Sequence, residues 1–351
     1  MNTSAKTTFE KRRVGTTNLE MTTLGLGGAT LASIFQPVPD EQARATVAHA
    51  IDAGIGYFDT APQYGFGRSE HLMGDALRFR QEGKVISTKV GRLLRPVRSD
   101  AERTYQEHAW VNPFPFDMVY DYSYDAVMRS FEDSLQRLGL PKVDILYVHD
   151  IGPMTHGVEG NKPLWKQLET GGYKALNELK SAGLISAIGL GVNEWEVCEA
   201  AMAHGRFDCF LLAGRYTLLE QSSLDTFMPK CERHGATLII GGAYNSGILA
   251  TGTWRGGVPH YNYAPASEAI IERVRRIEAI CEAHGVTLAA AALQFPLAHP
   301  LVSSVIPGLG SPSRVTQTMA LFDEPIPPAF WHDLKAQELL RDDAPTPNGV
   351  G

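Results

Sequence analysis

Four side chains carry chemistry at places where strand ends would gather them. Asp59 closes the apolar run YFD, Tyr64 follows in TAPQYG, Lys89 closes VISTK and His149 closes VDILYVH. A phenol donates a proton poorly near neutrality, with an unperturbed pKa of about 10, and it becomes useful when nearby positive charge stabilises its anion. Lys89 is the expected source of that charge. A buried lysine sheds its proton unless a carboxylate such as Asp59 offsets the desolvation. His149 can donate to a substrate oxygen and fix its position. Together the four residues would make a proton relay at an oxygen whose carbon gains or loses hydride, with no metal.

Each residue also has a plainer reading. Asp59 before Thr60-Ala-Pro can be a helix N-cap or a turn residue, Tyr64 a half-buried loop aromatic, and His149 a structural hydrogen-bonder. Lys89 is hardest to explain as structure, because a lysine rarely ends an apolar strand without a partner. A different chemistry is a Schiff base on Lys89, making a class I aldolase with VIPGLGSPSRV as its phosphate loop. That reading leaves Tyr64 and His149 without a role.

Short apolar runs alternate with longer amphipathic ones, the pattern of strand-helix units around a parallel sheet. The strand candidates are Leu24 to Gly27, Gly56 to Asp59, Val85 to Lys89, Val143 to His149, Ser186 to Gly191, Cys209 to Ala213, Thr237 to Gly241 and Val302 to Pro307. Between them, segments such as DEQARATVAHAIDAG and YDAVMRSFEDSLQRLG carry apolar residues at helical spacing and end on glycine. Eight such units predict an α/β fold, a (β/α)8 TIM barrel, in which groups at the carboxyl ends of the strands share one mouth. A doubly wound sheet would want a Gly-x-Gly-x-x-Gly turn opening a helix. GLGGAT (Gly25 to Thr30) is instead followed by Leu-Ala-Ser-Ile-Phe-Gln-Pro.

Arg13 to Thr23 reads as a hairpin plugging the barrel bottom. Two long connections, Arg92 to Asp121 with Trp110, Phe114 and Phe116, and Gly252 to Pro265 with Trp254, His260, Tyr261 and Tyr263, read as aromatic lids. Trp110 is the lid residue expected at the substrate. The chain is expected to form one barrel domain over 1–351, with a flexible tail at 341–351.

A net charge of -7 argues against a surface built for phosphate backbones or anionic lipid. A small diffusible substrate is the simpler expectation, with neither nucleic acid nor membrane as partner. Cys198, Cys209, Cys231 and Cys281 have no zinc spacing and are too few for a disulfide scaffold, which fits free thiols in a reducing cytoplasm. MNTSAKTTFEKRR has no apolar stretch behind its charges, and no run approaches the ~20 apolar residues of a membrane span.

FDTAPQYG, STKVG and LYVHD closely resemble the motifs of the aldo-keto reductase superfamily, and the likeness runs from GLGG to VIPGLGSPSRV. The resemblance implies a barrel that binds NAD(P)H extended across its carboxyl face. It also implies that Tyr64 is the proton donor or acceptor, assisted by His149 and Lys89, with Lys89 paired to Asp59. The glycine run brings in Gly28. Asn193 in GLGVNEW would hold the carboxamide, while Ala213 or Arg215 stands where a glutamine is usual. In GGAYNSGIL, the loop from Ala243 through Asn245 and Ser246 to Gly247 would cradle pyrophosphate. VIPGLGSPSRVTQT resembles the adenosine-phosphate site, with Gly308 and Gly310 opening the loop, Arg314 near the ribose and Gln317 near adenine. NADP-preferring members often carry a lysine where Gly308 stands, which tilts the reading toward NAD, although Arg314 can serve NADP.

GLGVN, GGAYNSGIL and the long aromatic first loop are similar to the branch holding D-threo-aldose 1-dehydrogenase, also called L-fucose dehydrogenase, and pyridoxal 4-dehydrogenase. That likeness implies oxidation of an aldose's anomeric hydroxyl to a lactone, in the manner of L-fucose dehydrogenase. Pyridoxal 4-dehydrogenase chemistry or a general aldehyde or ketone reductase is an alternative. So is a nicotinamide-binding redox sensor for a partner protein, as in the potassium-channel β subunits of the superfamily.

Overall fold

Alternation along a strand decides which side chains face a barrel's axis. In the computed structural model, which describes residues 9–104, 110–253 and 257–347, the chain opens on an antiparallel hairpin of β1 (Lys11–Arg13) and β2 (Glu20–Thr22). The ring begins with β3 (Gly25–Gly27), β4 (Tyr57–Asp59) and β5 (Val85–Val90). An antiparallel pair, β6 (Arg92–Pro96) and β7 (Phe116–Tyr120), interrupts it. The ring continues with β8 (Ile145–His149), β9 (Ala187–Val192), β10 (Cys209–Ala213) and β11 (Thr237–Gly241). A short pair, β12 (His260–Tyr261) and β13 (Ala264–Pro265), precedes the last ring strand, β14 (Val302–Ile306). Successive ring strands pair in parallel, and the bridges Leu24–Val305 and Gly27–Gly308 join β14 back to β3. All eight strands of the sequence reading are present, with ends within two residues of it.

The alternation writes a dry floor and a polar mouth. β4 points Tyr57 and then Asp59 inward, β5 points Val85, Ser87 and Lys89, and β8 points Ile145, Tyr147 and His149. At the floor Tyr57, Val85, Ile145 and Tyr147 pack with Val14 and Met21 of the terminal hairpin. The segment from Arg13 to Thr23 thus closes the amino end of the barrel, as its sequence predicts. Outside the ring, the helices bury a second and larger apolar layer.

The long connections differ from the sequence reading in one respect, since each contains a hairpin. In the first, β6 and β7 pair from Arg92–Tyr120 to Pro96–Phe116. Pro113 and Pro115 lie in the turn region rather than within the ladder, where a missing N–H would matter. In the second, β12 and β13 pair around Asn262 and Tyr263, both in the left-handed region. Trp254, which the sequence placed on this lid, and the last four residues of the expected flexible tail lie outside the described residues. Among the described residues no helix is long and apolar enough to cross a membrane.

One glycine tests the packing of the outer layer. Within the helix Arg68–Leu77, a Cβ on Gly74 would come within 2.1 Å of the Leu138 carbonyl oxygen at the end of the helix Tyr124–Leu138. Alanine favours a helix over glycine by ~1 kcal/mol, but overpacking against fixed backbone costs typically ~1–3 kcal/mol. Gly74→Ala is therefore expected to lower the urea midpoint despite its better propensity. A raised midpoint would show that the two helices can part freely.

Candidate active site

The inward positions at the carboxyl ends of β4, β5 and β8 bring Asp59, Lys89 and His149 to one mouth. Lys89 Nζ donates to Asp59 Oδ2 at 2.6 Å and to the Thr60 carbonyl at 2.8 Å. The other Asp59 oxygen accepts from Ser87 Oγ at 2.7 Å. Both members of the ion pair are buried, at 1% and 2% exposure. Burial lowers the Lys89 ammonium and raises the Asp59 carboxyl, and their mutual contact offsets both. Gly191 on β9 leaves the room: a Cβ there would come within 3.2 Å of Lys89 Cε. Asp59 is not a helix cap, because the following helix begins at Arg68 behind Gly67.

Tyr64 comes from the turn after β4 and leans over this pair. Its ring centroid lies 4.8 Å from Lys89 Nζ, and it meets the His149 ring edge-on at 5.9 Å. Trp110 of the first long connection lies against its other side, 6.0 Å between centroids. The four residues of the proposed relay, with the expected lid aromatic, therefore converge. One electrostatic expectation changes. Burial holds the Tyr64 phenol well above its ordinary value, Asp59 and Asp150 add to that, and Arg92 works against it. Near neutral pH the phenol is a proton donor in waiting.

Two residues at the mouth escaped the sequence reading. Arg92, at the first residue of β6 and 2% exposed, donates from Nη2 to Asp150 Oδ2 at 2.6 Å. Asp150 follows His149 in a left-handed conformation, φ 43°, and its Oδ2 stands 3.5 Å from His149 Nε2. Asp150 Oδ1 accepts from Asn193 Nδ2 at 3.3 Å. The only sequence signal was adjacency, an aspartate after the histidine and an arginine two residues past Val90.

The remaining candidate residues divide. Asn193 lies at the mouth, where its Oδ1 accepts from Tyr263 Oη at 3.3 Å. Arg215 spans the neighbouring loop, donating to the Asn193 carbonyl and to Asn262 Oδ1. Phe114 meets the His71 ring at a tilt, 5.5 Å between centroids. Ala213 is half-buried and Ala243 buried. Asn245 turns inward: Oδ1 accepts from Thr217 Oγ1 at 2.6 Å and Nδ2 donates to the Gly214 carbonyl. What that loop offers outward is its backbone at Ser246 and Gly247, and a Cβ on Gly247 would meet open space. Gly28 is a close-packing glycine whose Cβ would strike Ser69 Oγ and the Asp59 carbonyl. Gly308 is exposed, with Thr30 Oγ1 2.2 Å from where its Cβ would sit. Arg314 and Gln317 are exposed on the helix Pro312–Phe322, bonded to each other at 3.4 Å.

These residues fit an extended dinucleotide. Tyr244 in the bridge region followed by left-handed Asn245, Ser246 and Gly247 makes a tight turn in which the Asn245 and Gly247 amides donate to the Gly242 and Tyr244 carbonyls. The helix Pro312–Phe322, capped by Ser311 through the Arg314 amide, presents its positive end beside the exposed Gly308.

The aldo/keto reductase family matches residues 23–338 of the chain. The pyridoxal 4-dehydrogenase of Microbacterium luteolum is 47% identical over 340 residues, covering 94% of this chain and 98% of that protein. The D-threo-aldose 1-dehydrogenase of a Pseudomonas species is 35% identical over 335 residues, covering 94% and 96%. Among solved structures, an aldo-keto reductase from Bacillus halodurans superimposes with a TM-score of 0.72 at 22% identity, over 95% of this chain and 97% of that one, a likeness of fold.

Proposed function

Because the chain belongs to the aldo/keto reductase family and is an NAD(P)-dependent oxidoreductase by that membership, we propose that it oxidises the hydroxyl of a cyclic hemiacetal to a lactone, with Tyr64 exchanging the proton. The observation that carries this reading is the convergence of Tyr64, His149 and the buried Lys89–Asp59 pair on one mouth. When bound in its oxidised form, the nicotinamide supplies a hydride-accepting carbon and a positive charge at that mouth. The chain's own groups do the rest. His149 donates to the substrate oxygen and orients it. In the reductive direction Tyr64 Oη gives its proton to the substrate oxygen; in the oxidative direction it first releases that proton to solvent and then takes the one leaving the hydroxyl. Lys89, fixed by Asp59 and Thr60, keeps positive charge beside the phenol ring while the proton moves. Trp110 forms one wall of the substrate space.

Asn193 would hold the carboxamide, the turn at Ser246 would lie along the pyrophosphate, and Gly308, Gly310, Arg314 and Gln317 would meet the adenosine end. Gly308 places no cation there and Thr30 occupies the space of a longer side chain, so NAD is favoured and Arg314 alone would answer a 2′-phosphate. A reducing cytoplasm suits four buried free thiols.

Two substrates share the cyclic hemiacetal: pyridoxal, whose aldehyde closes on its own hydroxymethyl group, and aldoses such as L-fucose and D-arabinose. The 47% identity to the pyridoxal enzyme, against 35% to the aldose enzyme, puts pyridoxal first. A spectrophotometric screen of these compounds and simple aldehydes with both coenzymes is expected to give the highest kcat/KM for a hemiacetal with NAD. Preference for open-chain aldehydes with reduced coenzyme would replace the reading by a general reductase. Tight coenzyme binding with no turnover would favour a redox sensor.

A further inference from the structure

We propose that Arg92 and Asp150 form a positioning pair for this reaction, an ion couple that holds His149 and Asn193 at the mouth and sets opposite charges beside the Tyr64 phenol. The proposal rests on the hydride-transfer reading of the mouth.

The geometry is that of a hub. The Asp150 carboxylate receives Arg92 Nη2 at 2.6 Å, lies 3.5 Å from His149 Nε2 on the same oxygen, and takes the Asn193 amide on the other. Its left-handed backbone is uncommon for a residue with a side chain. Such strain persists where surroundings over-determine it, often at functional sites. Here the Asp150 amide bonds to the Gly191 carbonyl, tying it to β9. Arg92 is delivered by Gly91, whose φ of 100° and close approach to the Tyr122 ring let the chain turn from β5 into β6. The Arg92 guanidinium lies over the Tyr120 ring at 5.4 Å. Tyr122 Oη donates to the His149 carbonyl at 2.8 Å. His149 is thus supported on its backbone by Tyr122, while its ring faces Asp150.

Several charged and titratable groups face the Tyr64 phenol. They are Asp59 from β4, Lys89 from β5, Arg92 from β6, His149 and Asp150 from the end of β8, and Tyr263 from the second long connection. Asp59, which adds to the phenol's hold on its proton, is paired to Lys89. The second couple lies in a buried, weakly screened setting, where its two members must act with opposite sign: the Asp150 carboxylate strengthens the phenol's hold on its proton and the Arg92 guanidinium weakens it.

The test follows kcat/KM for oxidation against pH, whose rising limb reports loss of the phenol proton. Asp150→Asn is expected to move the limb down by about one pH unit and Arg92→Gln to move it up by about as much. The neutral double variant should return toward wild type in position while kcat remains reduced. Should Arg92→Gln fail to fold, the double variant decides: return of the limb from its Asp150→Asn position supports the pair, and no return overturns it. The second readout needs no turnover. In spectra of 15N-histidine-labelled protein, the His149 ring signals, assigned by their loss in His149→Gln, should move in Asp150→Asn. Limbs that move together or not at all, with unmoved His149 signals, would reduce the pair to a structural brace. If the wild type turns over nothing in the hemiacetal panel, the functional reading falls, and the His149 signals alone decide whether the pair positions that ring.

Discussion

Tyr64→Phe is expected to lower turnover by about 10²- to 10⁴-fold, the range for loss of a positioned proton donor or acceptor, and to leave coenzyme affinity nearly unchanged. The phenol stands over the Lys89–Asp59 pair and edge-on to His149, so removing its oxygen takes away the group that exchanges the proton and little else. The ring remains to pack on Trp110, so thermal unfolding should barely move. Stopped-flow single turnovers and coenzyme fluorescence titration measure the two halves of the prediction separately. A variant that keeps most of its single-turnover rate would remove Tyr64 from the chemistry and hand the proton to His149 or to water. A variant that loses coenzyme binding in step with turnover would recast Tyr64 as a wall of the binding site.

The residues that carry this prediction were readable because strand alternation and chemistry coincide. An apolar run ending in aspartate, lysine or histidine announces a polar group at the carboxyl end of a parallel strand, and barrel topology gathers such ends. Tyr64 was found by its motif, since nothing in the spacing alone says that a loop phenol leans inward. What the sequence hid is where contact depends on a backbone turn. Arg92 reaches Asp150 because Gly91 reverses the chain and β6 pairs with β7. A run of 30 residues rich in aromatics and proline gives no sign of that ladder, whose register is set by cross-strand contacts. The loop GGAYNSG likewise announces a turn but not its side-chain partners: Asn245, in a left-handed conformation, turns inward and accepts from Thr217 Oγ1. Coenzyme choice is least legible, because it depends on a missing side chain at Gly308 and on one exposed arginine.

Lys89→Met should cost both stability and turnover, and a second substitution should separate the two. Removing one member of a buried ion pair leaves the other charge without its partner, which typically destabilises by ~3–5 kcal/mol. Here Asp59, 2% exposed, would keep the Ser87 hydroxyl on its carboxylate but lose the ammonium, and it would bind a proton to escape its charge. The loss is therefore expected to be larger at pH 8 than at pH 5. In the unfolded chain Asp59 is ionised at both values, whereas in the folded variant it must be protonated, so folding takes up a proton and is favoured by acid. The double variant Lys89→Met/Asp59→Leu has no buried charge at this place and should recover much of the urea midpoint, since apolar replacement of a buried pair is often close to neutral. Its turnover should stay as low as that of Lys89→Met, because the charge beside the Tyr64 ring is still gone. Recovery of activity along with stability would mean that the pair only holds the barrel mouth together, and that the phenol works without it.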